Sequence, residues 1–276
     1  MSSLIMYGHP VADRFKELIR SRIASTKVRG TLVKLAIVLV GDDPASHAYA
    51  GRLVRLLREL GGFAETICLK EGASETEVLG VIERLNLDSS VTGILPMMPM
   101  PAHINGTKIG AAIAPLKDVD CLSPLVMGEV FMGTSSYAAC TARACMAALE
   151  FYDIRLAGKS AAVVGRSNVV GKPLALMLLN KNATVTICHS HTVNLPDILS
   201  RADIVVAAVG KPGLITGSMV KEGAVLLDVG TNFVDGMMVG DIAPEAYKKA
   251  SAYTPVPGGI GVISNMMVMD CLTRNM

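Results

Sequence analysis

The sharpest chemical pattern in the chain is Val163-Val164-Gly165-Arg166-Ser167-Asn168-Val169-Val170-Gly171-Lys172-Pro173. An apolar run stops at Gly165, a tight turn follows, and Pro173 suits the first turn of a helix. Backbone N–H groups at such a helix start face an anion, which is how dinucleotide folds hold a pyrophosphate. The spacing is Gly-x-Ser-x-x-x-Gly rather than Gly-x-Gly-x-x-Gly, so taken alone the segment reads equally as a plain strand-to-helix turn. The next apolar run ends Cys188-His189-Ser190-His191-Thr192, without the carboxylate that an NAD site places there for the ribose hydroxyls. A 2′-phosphate meets no repulsion at such a strand end. Arg166 and Ser190 offer it a cation and a hydroxyl, so the physics leans to NADP. His189 and His191 share one face of an extended strand, as a metal pair would. No Asp, Glu or Cys on that face completes a set of three or four ligands, and no metal is expected.

Strands and helices must alternate to position these groups. Apolar periodicity predicts helices over residues 11–26, 46–60 and 74–85, the last opening on Ser74 and Glu77 at capping-box spacing. Strands are predicted over 31–40, 65–69 and 93–95, and Pro96, Pro99 and Pro101 then enforce a rigid loop. A helix over 141–152 links to a second half with strands at 160–164, 183–188, 204–209 and 224–229 and a helix at 172–179. This alternation means parallel strands joined by helical crossovers, an α/β fold. Glycine-rich turns such as Gly210-Lys211-Pro212-Gly213 and Gly230 close strands at the edge where ligands bind in such sheets.

Composition excludes several classes. The 276 residues are 51% hydrophobic and 18% charged, too apolar to remain disordered, and their number suggests two domains. A balance of 26 basic to 24 acidic residues, with no Trp, offers nucleic acid neither an electrostatic footprint nor a stacking platform. The apolar runs are too short to span a membrane, and the N-terminus lacks a continuous apolar stretch, so a cytoplasmic protein is expected. Six scattered cysteines without a C-x-x-C pair read as reduced, mostly buried thiols.

Six segments together resemble the bifunctional methylenetetrahydrofolate dehydrogenase/cyclohydrolase family: Gly41-Asp42-Asp43-Pro44-Ala45-Ser46, Lys117-Asp118-Val119-Asp120, the stretch from Val164 to Gly171, Thr184-Val185-Thr186 with His189-Ser190, Val209-Gly210-Lys211-Pro212-Gly213, and Thr254-Pro255-Val256-Pro257-Gly258-Gly259. They occur in the family's order across essentially the whole chain. The resemblance implies two domains: a folate domain from residues 1–140 plus 263–276, with the C-terminal helix returning to it, and a Rossmann-like NADP domain from 141–262. It implies hydride transfer between a tetrahydrofolate one-carbon substrate and NADP, then hydrolysis, in a homodimer whose substrate cleft lies between the domains. Carried onto this chain, the cofactor residues are Thr141, Gly165, Arg166, Ser167, Gly171, Pro173, His189, Ser190, Gly210, Gly230 and Thr231. Those meeting the substrate are Tyr49, Asp120, Pro257, Gly258 and Gly259.

The departures are concentrated in the folate half. The family carries Tyr-x-x-x-Lys on the helix after the Asp-Pro-Ala-Ser turn, with the Lys catalytic; here Tyr49 is followed by Leu53. Met97 stands at the position of the family's Gln, Val262 at that of a Pro, and Ala142 at that of another. Asp120 is retained. The expectation is an NADP-dependent dehydrogenase whose cyclohydrolase activity is weak or absent. The alternatives are a fully bifunctional enzyme, a dehydrogenase for a modified one-carbon carrier, and a non-catalytic NADP-binding paralogue. Arg52, Arg55 and Arg58 recur every three residues on the same helix, as a solvated face or as contacts for the glutamate tail of folate.

Overall fold

The computed structural model describes residues 3–134 and 137–274. The first half runs β1 (Leu4–Ile5), α1 (Gly8–Val28), β2 (Lys34–Val40), α2 (Pro44–Glu59), β3 (Phe63–Leu69), α3 (Glu75–Leu87), β4 (Gly93–Pro96), α4 (Gly106–Ala112) and α5 (Pro124–Met132). It continues with α6 (Cys140–Phe151), β5 (Ser160–Val164), α7 (Gly171–Asn180), β6 (Thr184–Cys188), α8 (Leu195–Leu199), β7 (Ile204–Ala207) and β8 (Val225–Asp228). The last elements are β9 (Asn232–Val234), β10 (Met237–Val239), α9 (Pro244–Tyr247), β11 (Ala252–Tyr253) and α10 (Ile260–Thr273). The chain forms two compact units, one from Arg14–Glu129 with Val268–Met276, the other from Met1–Asp13 with Val130–Met267.

In the first of these units β2 is the centre of a parallel three-stranded sheet ordered β3-β2-β4. Its run Leu35 to Leu39 is buried without interruption, as a strand covered on both faces requires. Ser74 and Glu77 cap α3 reciprocally: the Glu77 amide donates to Ser74 Oγ at 3.2 Å and the Ser74 amide to Glu77 Oε2 at 2.7 Å. The end of α10 packs into this unit. Arg22 of α1 donates to Asp270 at 2.7 Å, and a side chain on Gly93 of β4 would strike Leu272 Cδ1 and Val119 Cγ1.

The other unit holds a parallel sheet ordered β1-β11-β8-β7-β5-β6, with β9 and β10 as a separate antiparallel hairpin. β5 matches its expected span, while β2 starts three residues late and β7 stops at Ala207 rather than 209. The two-residue β1 pairs with β11, and so joins the sheet of the later half of the chain rather than that of the residues that follow it. α6 lies wholly in this unit. All six cysteines are free thiols, five of them buried and Cys68 exposed. No described helix is long and apolar enough to cross a membrane.

Candidate active site

β5 delivers the chain to Gly165, whose φ of +132° and lack of a side chain let the backbone pass against the Ala208 carbonyl of the neighbouring strand's loop. The turn then closes on itself. Ser167 Oγ accepts the Val170 amide at 3.1 Å, the Lys172 amide donates to the Ser167 carbonyl at 3.1 Å, and Lys172 Nζ reaches Asn168 Oδ1 at 2.8 Å. Pro173 sits in the first turn of α7, where its missing N–H costs no helical bond. Parallel pairing matches Val164 to Cys188, and the Gly165 amide donates to the Cys188 carbonyl at 2.9 Å. Arg166 and Ser190 each follow that pair by two residues and both are exposed, so a cation and a hydroxyl share one end of the sheet.

His189 serves the backbone: its Nδ1 accepts the His191 amide at 3.2 Å, and its own amide donates to Thr192 Oγ1 at 2.8 Å. Among the described residues no group of three or more His, Cys, Asp or Glu is placed to hold a metal.

Two buried carboxylates that sequence reasoning missed shape the other glycine turns. Asp241 accepts the amides of Val209 at 2.7 Å, Gly210 at 3.0 Å and Lys211 at 2.8 Å, and Asn232 Nδ2 at 2.9 Å. Asp228, at the end of β8, accepts the amides of Gly230, Asp241 and Ile242 and the Tyr247 hydroxyl. Burial pushes the Asp228 carboxyl up from its ordinary value, and the same burial, with Asp228 alongside, pushes the Tyr247 phenol up. A side chain on Gly230 would overlap Asp241, and one on Gly240 would overlap Asp228. Gly210 and Gly230 are therefore held by a carboxylate frame, with Thr231 exposed beside it. Thr141 is tied to Ser264 at 3.0 Å near the start of α6. Pro257 is exposed, Gly258 has a φ of +100°, its carbonyl accepts the Gly8 amide, and Gly259 packs on the Pro255 carbonyl.

In the three-stranded unit the expected folate residues leave the carboxyl end of the sheet. Asp43 caps α2 by accepting the Ser46 amide at 2.8 Å, and one turn later Tyr49 stands half-buried with the Arg52 guanidinium 5.6 Å from its ring centre. Leu53 is fully buried and shares its helix face with buried Ala50 and Leu57. Met97 follows β4, is 7% exposed, and donates its amide to the Val38 carbonyl. Asp118 bridges to Ile94 and accepts the amides of Leu122 and Ser123, while burial pushes its carboxyl up. Two residues on, half-buried Asp120 leaves the sheet at the level of Pro96. Lys117 donates to the carbonyls of Leu85, Asn86 and Asp88, which makes it a clamp on the end of α3. Tyr49, Met97 and Asp120 thus emerge from one sheet end, and Leu53 faces inward behind Tyr49.

The model of the tetrahydrofolate dehydrogenase/cyclohydrolase catalytic domain matches residues 6–120, and that of the same family's NAD(P)-binding domain matches residues 139–276. The chain belongs to the tetrahydrofolate dehydrogenase/cyclohydrolase family. Among its relatives, the bifunctional protein FolD of Moorella thermoacetica is 45% identical over 271 residues, covering 98% of this chain and 97% of that protein. The FolD protein of an Exiguobacterium species is 42% identical over 268 residues, covering 97% and 96%. Among solved structures, the bifunctional FolD enzyme of Campylobacter jejuni superposes with a TM-score of 0.95 at 37% identity, covering 99% and 98% of the two chains. The Trypanosoma brucei enzyme, solved with NADP cofactor and an inhibitor, gives 0.93 at 31% identity over 100% and 98%. The cofactor domain of the family model thus includes the Gly165 to Pro173 turn and the Asp228–Asp241 frame.

Proposed function

We propose that this chain oxidises 5,10-methylenetetrahydrofolate to the 5,10-methenyl form with NADP and hydrolyses the product weakly or not at all. NADP, when bound, supplies the hydride acceptor. The residues of the glycine turn suit it: Gly165 and Gly171 leave the backbone open to a pyrophosphate at the start of α7, and Arg166 and Ser190 flank the place of a 2′-phosphate. Hydride transfer asks the protein to hold two reacting carbons in line, with no general base. Tyr49 offers a ring for stacking the pterin and Asp120 an acceptor for its N–H groups.

Hydrolysis of the methenyl bridge asks for more, because water must be directed and a proton moved. A lysine with a lowered pKa can do both, and leucine can do neither. Leu53, buried and apolar at the family's lysine position, is the observation that carries the division between the two activities. Arg52 stands about 100° around the helix from Leu53 and stays protonated, so it cannot move the proton in its place. The bifunctional names of relatives at 42% and 45% identity favour the second reading, in which both steps are catalysed. Methenyl formation read by absorbance after acid quench, and methenyl loss read separately, distinguish the two. NADP-dependent formation with hydrolysis at the uncatalysed rate is expected, and brisk hydrolysis overturns the division. Leu53→Lys with Met97→Gln raises hydrolysis more than hydride transfer if these two positions account for the loss. The same reading carries a cytoplasmic homodimer, which gel filtration checks.

A further inference from the structure

Three guanidiniums on α2 have no counter-charge. Arg52, Arg55 and Arg58 are all exposed, and none has an ion-pair partner among the described residues. Glu59 is the one carboxylate on the helix itself, and Asp43 at its cap is taken up by Ser46. A solvated helix face commonly interleaves acids four residues from bases, and that pattern is missing here. The side chains are also gathered. Arg52 lies over the Tyr49 ring, and Arg55 folds back along the helix until its Nη1 stands 3.7 Å from the place of a Cβ on Gly51. Two like charges are thus drawn together on the turn that carries Tyr49, an arrangement an anion stabilises.

The spacing says which anion. Along the axis Arg55 and Arg58 lie about 9 and 14 Å beyond Tyr49 at 1.5 Å per residue. The p-aminobenzoyl spacer of a folate sets its first glutamyl carboxylate at a comparable distance from the pterin, roughly two helical turns. Each further γ-linked glutamyl residue adds one carboxylate after five bonds, about 6 Å when extended. A row of guanidiniums separated by about 4.5 Å of rise, on arms that swing, can follow such a series.

We propose that Arg52, Arg55 and Arg58 form a docking stripe for the γ-linked polyglutamate tail of the substrate, so that the chain acts on polyglutamylated folates. This rests on the folate reading above, and the experiment separates the two. Calorimetry compares tetrahydrofolate carrying one glutamate with the same compound carrying five, on the full chain at low and high salt. The longer tail binds at least tenfold tighter at low salt, and the advantage shrinks as salt rises. Arg55→Ala with Arg58→Ala brings the ratio of the two affinities close to one, while Arg84→Ala, an exposed arginine on α3, leaves the ratio unchanged. Equal affinities in the unaltered protein overturn the stripe and leave the folate reading intact. A ratio that survives the double substitution, or falls as far in Arg84→Ala, also overturns the stripe. Failure of both compounds to bind overturns both readings.

Discussion

A Cβ on Gly171 would overlap the carbonyl oxygen of Gly165, six residues earlier, and would stand 2.9 Å from the Arg166 nitrogen. The start of α7 is therefore folded onto the end of β5 with no room for one methyl group, and every obstacle is backbone. Gly171→Ala must open the turn or shift the helix. The expected cost is about 1–3 kcal/mol in urea unfolding, with NADP affinity falling at least tenfold. Unchanged affinity would mean that the cofactor lies elsewhere.

Arg166 tests cofactor choice apart from the folate question. It is exposed, has no acidic partner among the described residues, and shares the sheet end with Ser190. A charge-assisted bond to a 2′-phosphate contributes about 1.5–3 kcal/mol, so NADP should bind on the order of tenfold to a hundredfold tighter than NAD. Arg166→Ala should remove most of that ratio through weaker NADP binding, with NAD affinity held within about twofold. Equal binding of the two cofactors by the unaltered protein would place the phosphate on other residues.

The legible parts of this molecule are local ones. β5 was readable to the residue because an apolar run meets Gly165, and α3 because Ser74 and Glu77 sit three residues apart. The Leu53 position was readable because Tyr49 lies four residues before it on a helix with strong periodicity. The Asp228–Asp241 frame was not, since each carboxylate draws on partners up to 32 residues away and neither lies in a short motif. Pairing of β1 with β11 was equally hidden: two residues cannot specify a register, and the partner lies nearly 250 residues on. α8 is five residues long, too short for a helical period to show.

That frame has its own consequence. Each oxygen of Asp228 accepts two donors: Oδ1 those of Gly230 at 3.0 Å and Asp241 at 2.9 Å, Oδ2 those of Ile242 and Tyr247, both at 2.9 Å. Asp228→Asn puts an NH₂ where one of these oxygens was, and at least one buried backbone donor then faces another donor. The substitution should cost about 2–4 kcal/mol, read as a lowered urea midpoint, despite its near-identical shape. A loss below about half a kcal/mol would show that the amide finds other acceptors.

Thiol chemistry should be confined to one residue. Cys68 is exposed on β3, while burial pushes the Cys145 thiol up to about 12. Burial and a hydrogen bond to Cys271 push the Cys121 thiol up as well. A chromogenic disulfide reagent should titrate one thiol in the native protein and six in denaturant, and Cys68→Ser should abolish the native reaction. Rapid labelling of a second thiol would show that one of the buried sites opens.

The edge between β5 and β7 carries a pH dependence. Asp203 Oδ1 accepts Lys221 Nζ at 2.6 Å and Oδ2 accepts the Ser160 amide at 2.8 Å, and the lysine bond first, then the amide, hold this carboxyl below its ordinary value. A native pKa depressed in this way means that the unfolded chain takes up the proton first as pH falls. The stabilisation is therefore complete above the unfolded value near 4 and is lost as pH drops through the lower native value. Asp203→Asn removes it at every pH. The stability gap between the two proteins should stay constant from pH 8 to about 5 and close below about 4. With the Lys221 and Asp203 side chains 36% and 29% exposed, the gap should also narrow in 1 M salt. A gap that persists at pH 3 would assign the loss to the Ser160 contact and not to the charge.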